Sequence, residues 1–238
     1  MSAGQGRHGR RWRTWRRSTR KDSSRKARAV TGIAMEPAFA INQRPLLVQS
    51  KAGNVLWDCA SVLTEAAVAE IRRRGGLTGI AISHPHYYST MLEWSAAFGG
   101  VPIYLHAADR QWVMRSGPAI VHWSGETMAL NNEMTLIRCG GHFAGGTVMH
   151  WSGAPGGRGA LFTGDILQVV SDRRHVSFMY SYPNLIPVNA TTVQRIAAAV
   201  APYDYDDLYG AWTNLKIIGG ANQAVAESVA RYLTAIAG

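Results

Sequence analysis

Three imidazoles and a carboxylate stand where the chain could gather them: His84 and His86 in Ser83-His84-Pro85-His86-Tyr87-Tyr88, His142 after Gly141, and Asp165 after Gly164. Imidazole nitrogen and carboxylate oxygen are donors that Zn²⁺ accepts, at bonds of about 2.0–2.2 Å. Leu77 to Ile82 reads as a buried strand. Two histidines at i and i+2 on the loop leaving such a strand can both turn toward one ion. Iron or manganese suits the same donor set when coordination positions stay open. An ion held this way can lower the pKa of a bound water to about 7 and polarise a carbonyl or phosphoryl oxygen.

Those residues need a scaffold, and the apolar pattern supplies one from about Met35 onward. Phe39 to Ile41, Leu46 to Gln49 and Val55 to Trp57 read as short strands separated by turn residues. Thr64 caps a helix that turns Ala67, Val68 and Ile71 inward and ends at Gly75-Gly76. Helices are expected at Met91 to Phe98 and Ala107 to Met114, with a strand at Ile103 to Leu105. Ile120 to Trp123, Thr135 to Arg138, Thr147 to Trp151 and Ala160 to Thr163 read as further strands. Asn189 caps a helix bearing Val193, Ile196, Ala197 and Val200. The last helix carries Val225, Val229, Tyr232, Leu233 and Ile236 on one stripe. Helices occur in both halves, so an α/β fold of two packed sheets with helices outside is the economical layout.

Charge is distributed unevenly over the 238 residues. Residues 1–30 hold 11 of the 25 Lys and Arg and a single acid, Asp22, so they carry the chain's whole net charge of +10. That stretch has almost no aliphatic residues and is expected to be an unfolded tail, here bounded at residues 1–34. Nucleic acid is an expected partner only through this tail, where Trp12 and Trp15 could stack on bases. The neutral remainder argues against a phosphate-binding surface. Cys59 and Cys139 form no disulfide framework and are expected to be reduced thiols in a cytoplasmic protein. No apolar run has the length of a membrane span. Oligomeric state is not legible.

Over about residues 35–238, read as one domain, these motifs in this order resemble the metallo-β-lactamase fold superfamily. The resemblance implies a four-layer αββα sandwich of two mixed sheets with flanking helices. It assigns His84, His86 and His142 to the first metal, Asp165 to the bridging aspartate, and Asp58 to the aspartate that supports the site from behind the ligands. The chain departs from the family where the second metal would bind. Tyr88 and Ser89 replace an Asp-His pair, and no histidine stands near Tyr209-Gly210-Ala211-Trp212. One metal ion, zinc first, is therefore expected.

The function implied is hydrolysis of a small-molecule ester, thioester, lactone or amide through a metal-bound hydroxide. Asp165 would act as ligand or base, and Tyr88 as proton donor or oxyanion partner, unless Tyr87 and Tyr88 merely pack the emptied second site. His175, Tyr180, Tyr182 and Asn184, in an aromatic and amide-rich stretch over residues 175–189, are candidates to shape the substrate pocket. His106, His122 and His150 are expected to be structural. Two alternatives stand beside the hydrolase: a metal-binding, non-catalytic sensor or scaffold, and a nucleic-acid-processing enzyme anchored by the tail.

Overall fold

Alternation along the strands sorts the apolar residues into three cores, and those cores fix the layers. In the computed structural model, which describes residues 29–34 and 38–237, β2 (Leu46–Ser50) sends Leu46 and Val48 to one face and Leu47 to the other. β3 (Gly53–Trp57) does the same with Val55 and Trp57 against Leu56. The opposed sheet repeats the rule: β10 (Ala160–Gly164) turns Ala160 and Phe162 inward and Leu161 outward. Strand side chains point to opposite faces with period two, so each strand serves two cores at once.

The first sheet has the order β1-β2-β3-β4-β5-β6, where β1 is Val30–Gly32, β4 Gly79–Ala81, β5 Ile103–His106 and β6 Ile120–Trp123. Its first pairs are antiparallel and its last three parallel. The second sheet has the order β16-β15-β10-β9-β8-β7. Its members are β7 (Thr127–Ala129), β8 (Met134–Arg138), β9 (Thr147–Trp151), β15 (Asp207–Gly210) and β16 (Lys216–Ile218), beside β10. Only β10 and β15 are parallel within it. Helices α1 (Glu65–Arg73) and α2 (Met91–Ala97) cover the outer face of the first sheet through Ala67, Ile71, Met91 and Trp94. Helices α3 (Ala190–Val200) and α4 (Ala221–Ile236) cover the second through Val193, Ile196, Val200, Ala221 and Val225. The four-layer αββα sandwich of two mixed sheets is thus observed.

Both expected caps are made: the Thr64 hydroxyl accepts from the Ala67 N–H and the Asn189 side chain from the Thr192 N–H. Other expectations need correction. Phe39 to Ile41 is a turn and not a strand, because Ala40 and Asn42 both take left-handed backbone (φ 52° and 55°) that breaks an extended run. The edge beside β2 is taken by β1, so paired structure begins at Val30, ahead of the expected boundary at residue 35. The helix expected at Ala107 to Met114 is a 3-10 segment, Ala107–Trp112. The strands β7, β15 and β16 were not expected, nor were two short ribbons, β11–β12 (Gln168–Val169, Val176–Ser177) and β13–β14 (Met179–Ser181, Ile186–Pro187). Residues 1–28 of the basic tail lie outside the described residues. Both cysteines are free and buried. Among the described residues, no helix is long and apolar enough to cross a membrane.

Candidate metal centre

The chain reaches the site from three loops at the ends of central strands. After β4, Ser83 and His84 continue in extended form, and the 3-10 turn Pro85–Tyr87 folds His86 back beside His84. His142 comes from the loop between β8 and β9. Gly141 there has φ 88°, and a Cβ on it would lie 2.9 Å from Ile196 Cδ1, so only glycine lets the loop pass this close to α3. Asp165 follows β10 directly. Gly164 has φ 51°, and a Cβ there would stand 2.5 Å from the Ser83 hydroxyl. Glycine thus keeps open the contact between the aspartate loop and the histidine loop.

His84, His86, His142 and Asp165 each aim one ligand atom at a common point, all within 4.8 Å of one another. His84 Nε2 lies 3.2 Å from His86 Nδ1 and 3.6 Å from Asp165 Oδ2, and His142 Nε2 lies 3.4 Å from His86 Nδ1. Four ligands at zinc bond lengths occupy a tetrahedron with edges of about 3.3 Å. The outer nitrogens reveal which inner ones are lone pairs. His142 Nδ1 donates to the Tyr180 carbonyl at 2.9 Å, so its Nε2 carries no proton in the neutral ring. Ser83 Oγ donates to Asp58 Oδ1 at 2.8 Å, leaving His84 Nδ1 to donate to Ser83 Oγ at 2.9 Å. Two imidazole lone pairs therefore face His86 Nδ1, with the Asp165 carboxylate beside His84 Nε2, an arrangement that a cation satisfies. The residues present fit a single metal ion.

Burial shifts these groups toward their neutral forms. It pushes the Asp165 carboxyl up to about 7, against the opposing hydrogen bond from Tyr87. It holds His142 down to about 4 and His84 well below its usual range, in each case helped by the neighbouring imidazoles. His84 and Asp165 are thus poised as neutral neighbours more than as an ion pair, whatever their 3.6 Å separation suggests. His86 is the exposed member, so the site opens on its side.

Behind the cluster stands Asp58. It takes left-handed backbone, φ 62°, which aspartate tolerates better than most residues. In that pose Oδ1 accepts from both the N–H and the hydroxyl of Ser83, at 2.7 and 2.8 Å, and so orients His84 through Ser83. Burial pushes its carboxyl up to about 8.

The remaining candidates fare unequally. Tyr182 donates its phenol proton to the Asp165 main-chain carbonyl at 2.9 Å and sets its ring against His142. Tyr180 serves through its carbonyl, its side chain being exposed. Asn184 donates to Ser181, and His175 pairs with Asp172 at 2.6 Å; neither belongs to the cluster. Tyr88 makes no hydrogen bond or ring contact with the cluster; its ring packs in the core of the first sheet, which also holds Tyr87, Met91, Trp94 and Ala211. Tyr87 points to the cluster instead. Its ring stands edge-on to His84 at 4.8 Å and its phenol donates to Asp165 Oδ1 at 3.4 Å. Phe143 also emerges only from the structure, its ring touching His84, His86 and His142 at 5.0–5.6 Å. An aromatic residue directly after His142 was the available signal. His106 and His150 are structural: the first bonds the Gly125 carbonyl and Ala108 N–H, the second donates to the Asp204 carbonyl.

Fold and site together define a metallo-β-lactamase-fold protein with a His/Asp cluster that could hold a metal ion. Solved structures agree on the fold. VMB-1 superposes with a TM-score of 0.66 at 13% identity, covering 95% of this chain and 99% of that one. DIM-1 metallo-β-lactamase gives 0.64 at 14% identity, covering 95% and 98%. A metallo-β-lactamase family protein from Thermus thermophilus gives 0.57 at 13% identity, covering 86% and 79%. No family model matches the sequence. The chain is 48% identical over 204 residues to the uncharacterized protein YmaE of Bacillus subtilis (strain 168), a match spanning 86% of this chain and 74% of YmaE, and it belongs to the same family.

Proposed function

We propose that this protein is a metal-dependent hydrolase that works with one ion, zinc first, on a small-molecule ester, thioester, lactone or amide. The observation that carries the reading is the gathering of two fixed imidazole lone pairs, His86 Nδ1 and Asp165 Oδ2 within 4.8 Å of one another. When bound, such an ion supplies Lewis acidity, making a water acidic near neutral pH and polarising an acyl carbonyl. The protein's own groups would do the rest. Ser83 and Tyr180 hold His84 and His142 in the ligating tautomer. Asp165 contributes one oxygen to the ion.

The walls favour a small organic substrate over a polyanion. Phe143 lies against all three histidines and continues into the half-exposed ring of Trp112, 5.8 Å away. An aromatic wall running from the ligands to solvent suits an uncharged or apolar acyl group. A second reading, a metal-binding protein without turnover, draws support from the apolar packing of Tyr88 and Ala211 where relatives would hold a second ion.

Elemental analysis of untagged protein, beside a panel of activated esters and thioesters, tests both. About one metal per chain with turnover, both lost in His142→Ala, is the expected result. One metal per chain without turnover on any substrate would favour the second reading, and a metal-free wild type would overturn both.

A further inference from the structure

Asp165 raises a problem that a single metal leaves open. A carboxylate that gives Oδ2 to the histidine cluster keeps Oδ1, and that oxygen lies in a residue only 2% exposed. Its partner is the Tyr87 phenol, at 3.4 Å. Tyr87 is itself buried at 1% exposure and fixed by its ring contact with His84. A second phenol, on Tyr182, donates to the main-chain carbonyl of the same aspartate at 2.9 Å and leans on His142. Each tyrosine thus touches one histidine ligand and one end of Asp165.

We infer that Tyr87 and Tyr182 form a clamp on Asp165 that takes the place of the second cation, making them positioning residues of a one-metal centre. The inference rests on the proposed metal binding by His84, His86, His142 and Asp165. Its physical basis is that a buried carboxylate oxygen without a donor is costly and free to rotate its partner oxygen out of line. A hydroxyl supplies the missing donor without adding charge. The Oδ1 contact is long for an O–H···O bond, so the effect of losing it should fall at the lower end of what such supporting contacts give.

The test uses the full chain and Zn²⁺ or Co²⁺ alone as probe. Zinc affinity is measured by competition with a chromophoric chelator, cobalt geometry by the visible absorption of the Co²⁺ form, and folding by the melting temperature of the metal-free protein. Tyr87→Phe is expected to weaken zinc binding about ten-fold and to alter the cobalt spectrum. Tyr182→Phe should act in the same direction, and Tyr88→Phe should leave both readouts at wild-type values. Wild-type affinity and an unchanged spectrum in Tyr87→Phe would overturn the clamp while leaving the metal site standing. Should Tyr87→Phe fail to fold, an unchanged Tyr182→Phe overturns it equally. A wild type that takes up neither ion overturns the metal site and the clamp together.

Discussion

Asp165 separates two regions that the same fold treats in opposite ways. On one side His84, His86 and His142 gather around its Oδ2, with outer nitrogens held by Ser83 and Tyr180. On the other side Tyr88 and Ala211 have joined the core that packs under α2, Ser89 faces solvent, and Trp212 donates its indole proton to the Ile41 carbonyl. Arg44 closes that side by donating its N–H to Ala211. The first region keeps polar groups buried because each has a partner or an ion to meet. The second is held by packing, which stabilises through apolar contact and needs no ion.

The largest test of that contrast is to rebuild the second half. Tyr88→Asp with Ser89→His should leave about one metal per chain and lower stability by about 3 kcal/mol or more, since it empties an aromatic site and buries a carboxylate. Thermal melts and elemental analysis read both outcomes. Two metals per chain at wild-type stability would break the comparison.

Acidity sharpens it next. With the Asp165 carboxyl pushed up to about 7, a metal must displace a proton below that pH, whereas His142 near 4 and His84, held well below its usual range by burial, are already neutral. Zinc affinity should therefore fall about ten-fold per pH unit below about 7 and level off above it as far as this carboxyl is concerned. Without metal the sign reverses. Asp58 and Asp165 hold protons in the folded protein that the unfolded chain has released, so stability falls as pH rises from about 6.5 to about 8, a window above the range where the histidines titrate. Chelator competition across pH and melts of the metal-free protein measure the two trends. A zinc affinity flat from pH 6 to 8 would contradict them.

The smallest effect lies behind the ligands. Ser83→Ala cuts the link from Asp58 to His84 and should weaken zinc by about ten-fold, and it should also lower the metal-free melt because it leaves His84 Nδ1 buried without its acceptor. An unchanged zinc affinity would mean that packing alone, including Phe143 stacked on His84, orients that ring.

Much of the frame was legible because alternation and capping are local. Leu46-Leu47-Val48 already dictates two faces, and Thr64 and Asn189 mark their helix starts by side-chain chemistry. The short partners were not legible. β15, Asp207–Gly210, is a central strand of the second sheet, yet it is four residues long and gains its identity from pairing with β10 and β16. Phe39 to Ile41 shows the converse: apolar residues without a partner, turned by left-handed backbone at Ala40 and Asn42.

The sequence by itself offered His84, His86, His142 and Asp165 as a candidate set in this order, and an element order that calls for two packed sheets with helices outside. Only the tertiary structure decided which tyrosine serves the site. Tyr87 and Tyr88 are adjacent and chemically identical, and in a 3-10 turn successive side chains diverge by about 120°. The turn Pro85–Tyr87 sets the Tyr87 phenol against Asp165 while both rings join the core of the first sheet, because the loop after β4 meets the loop after β10 at Tyr87.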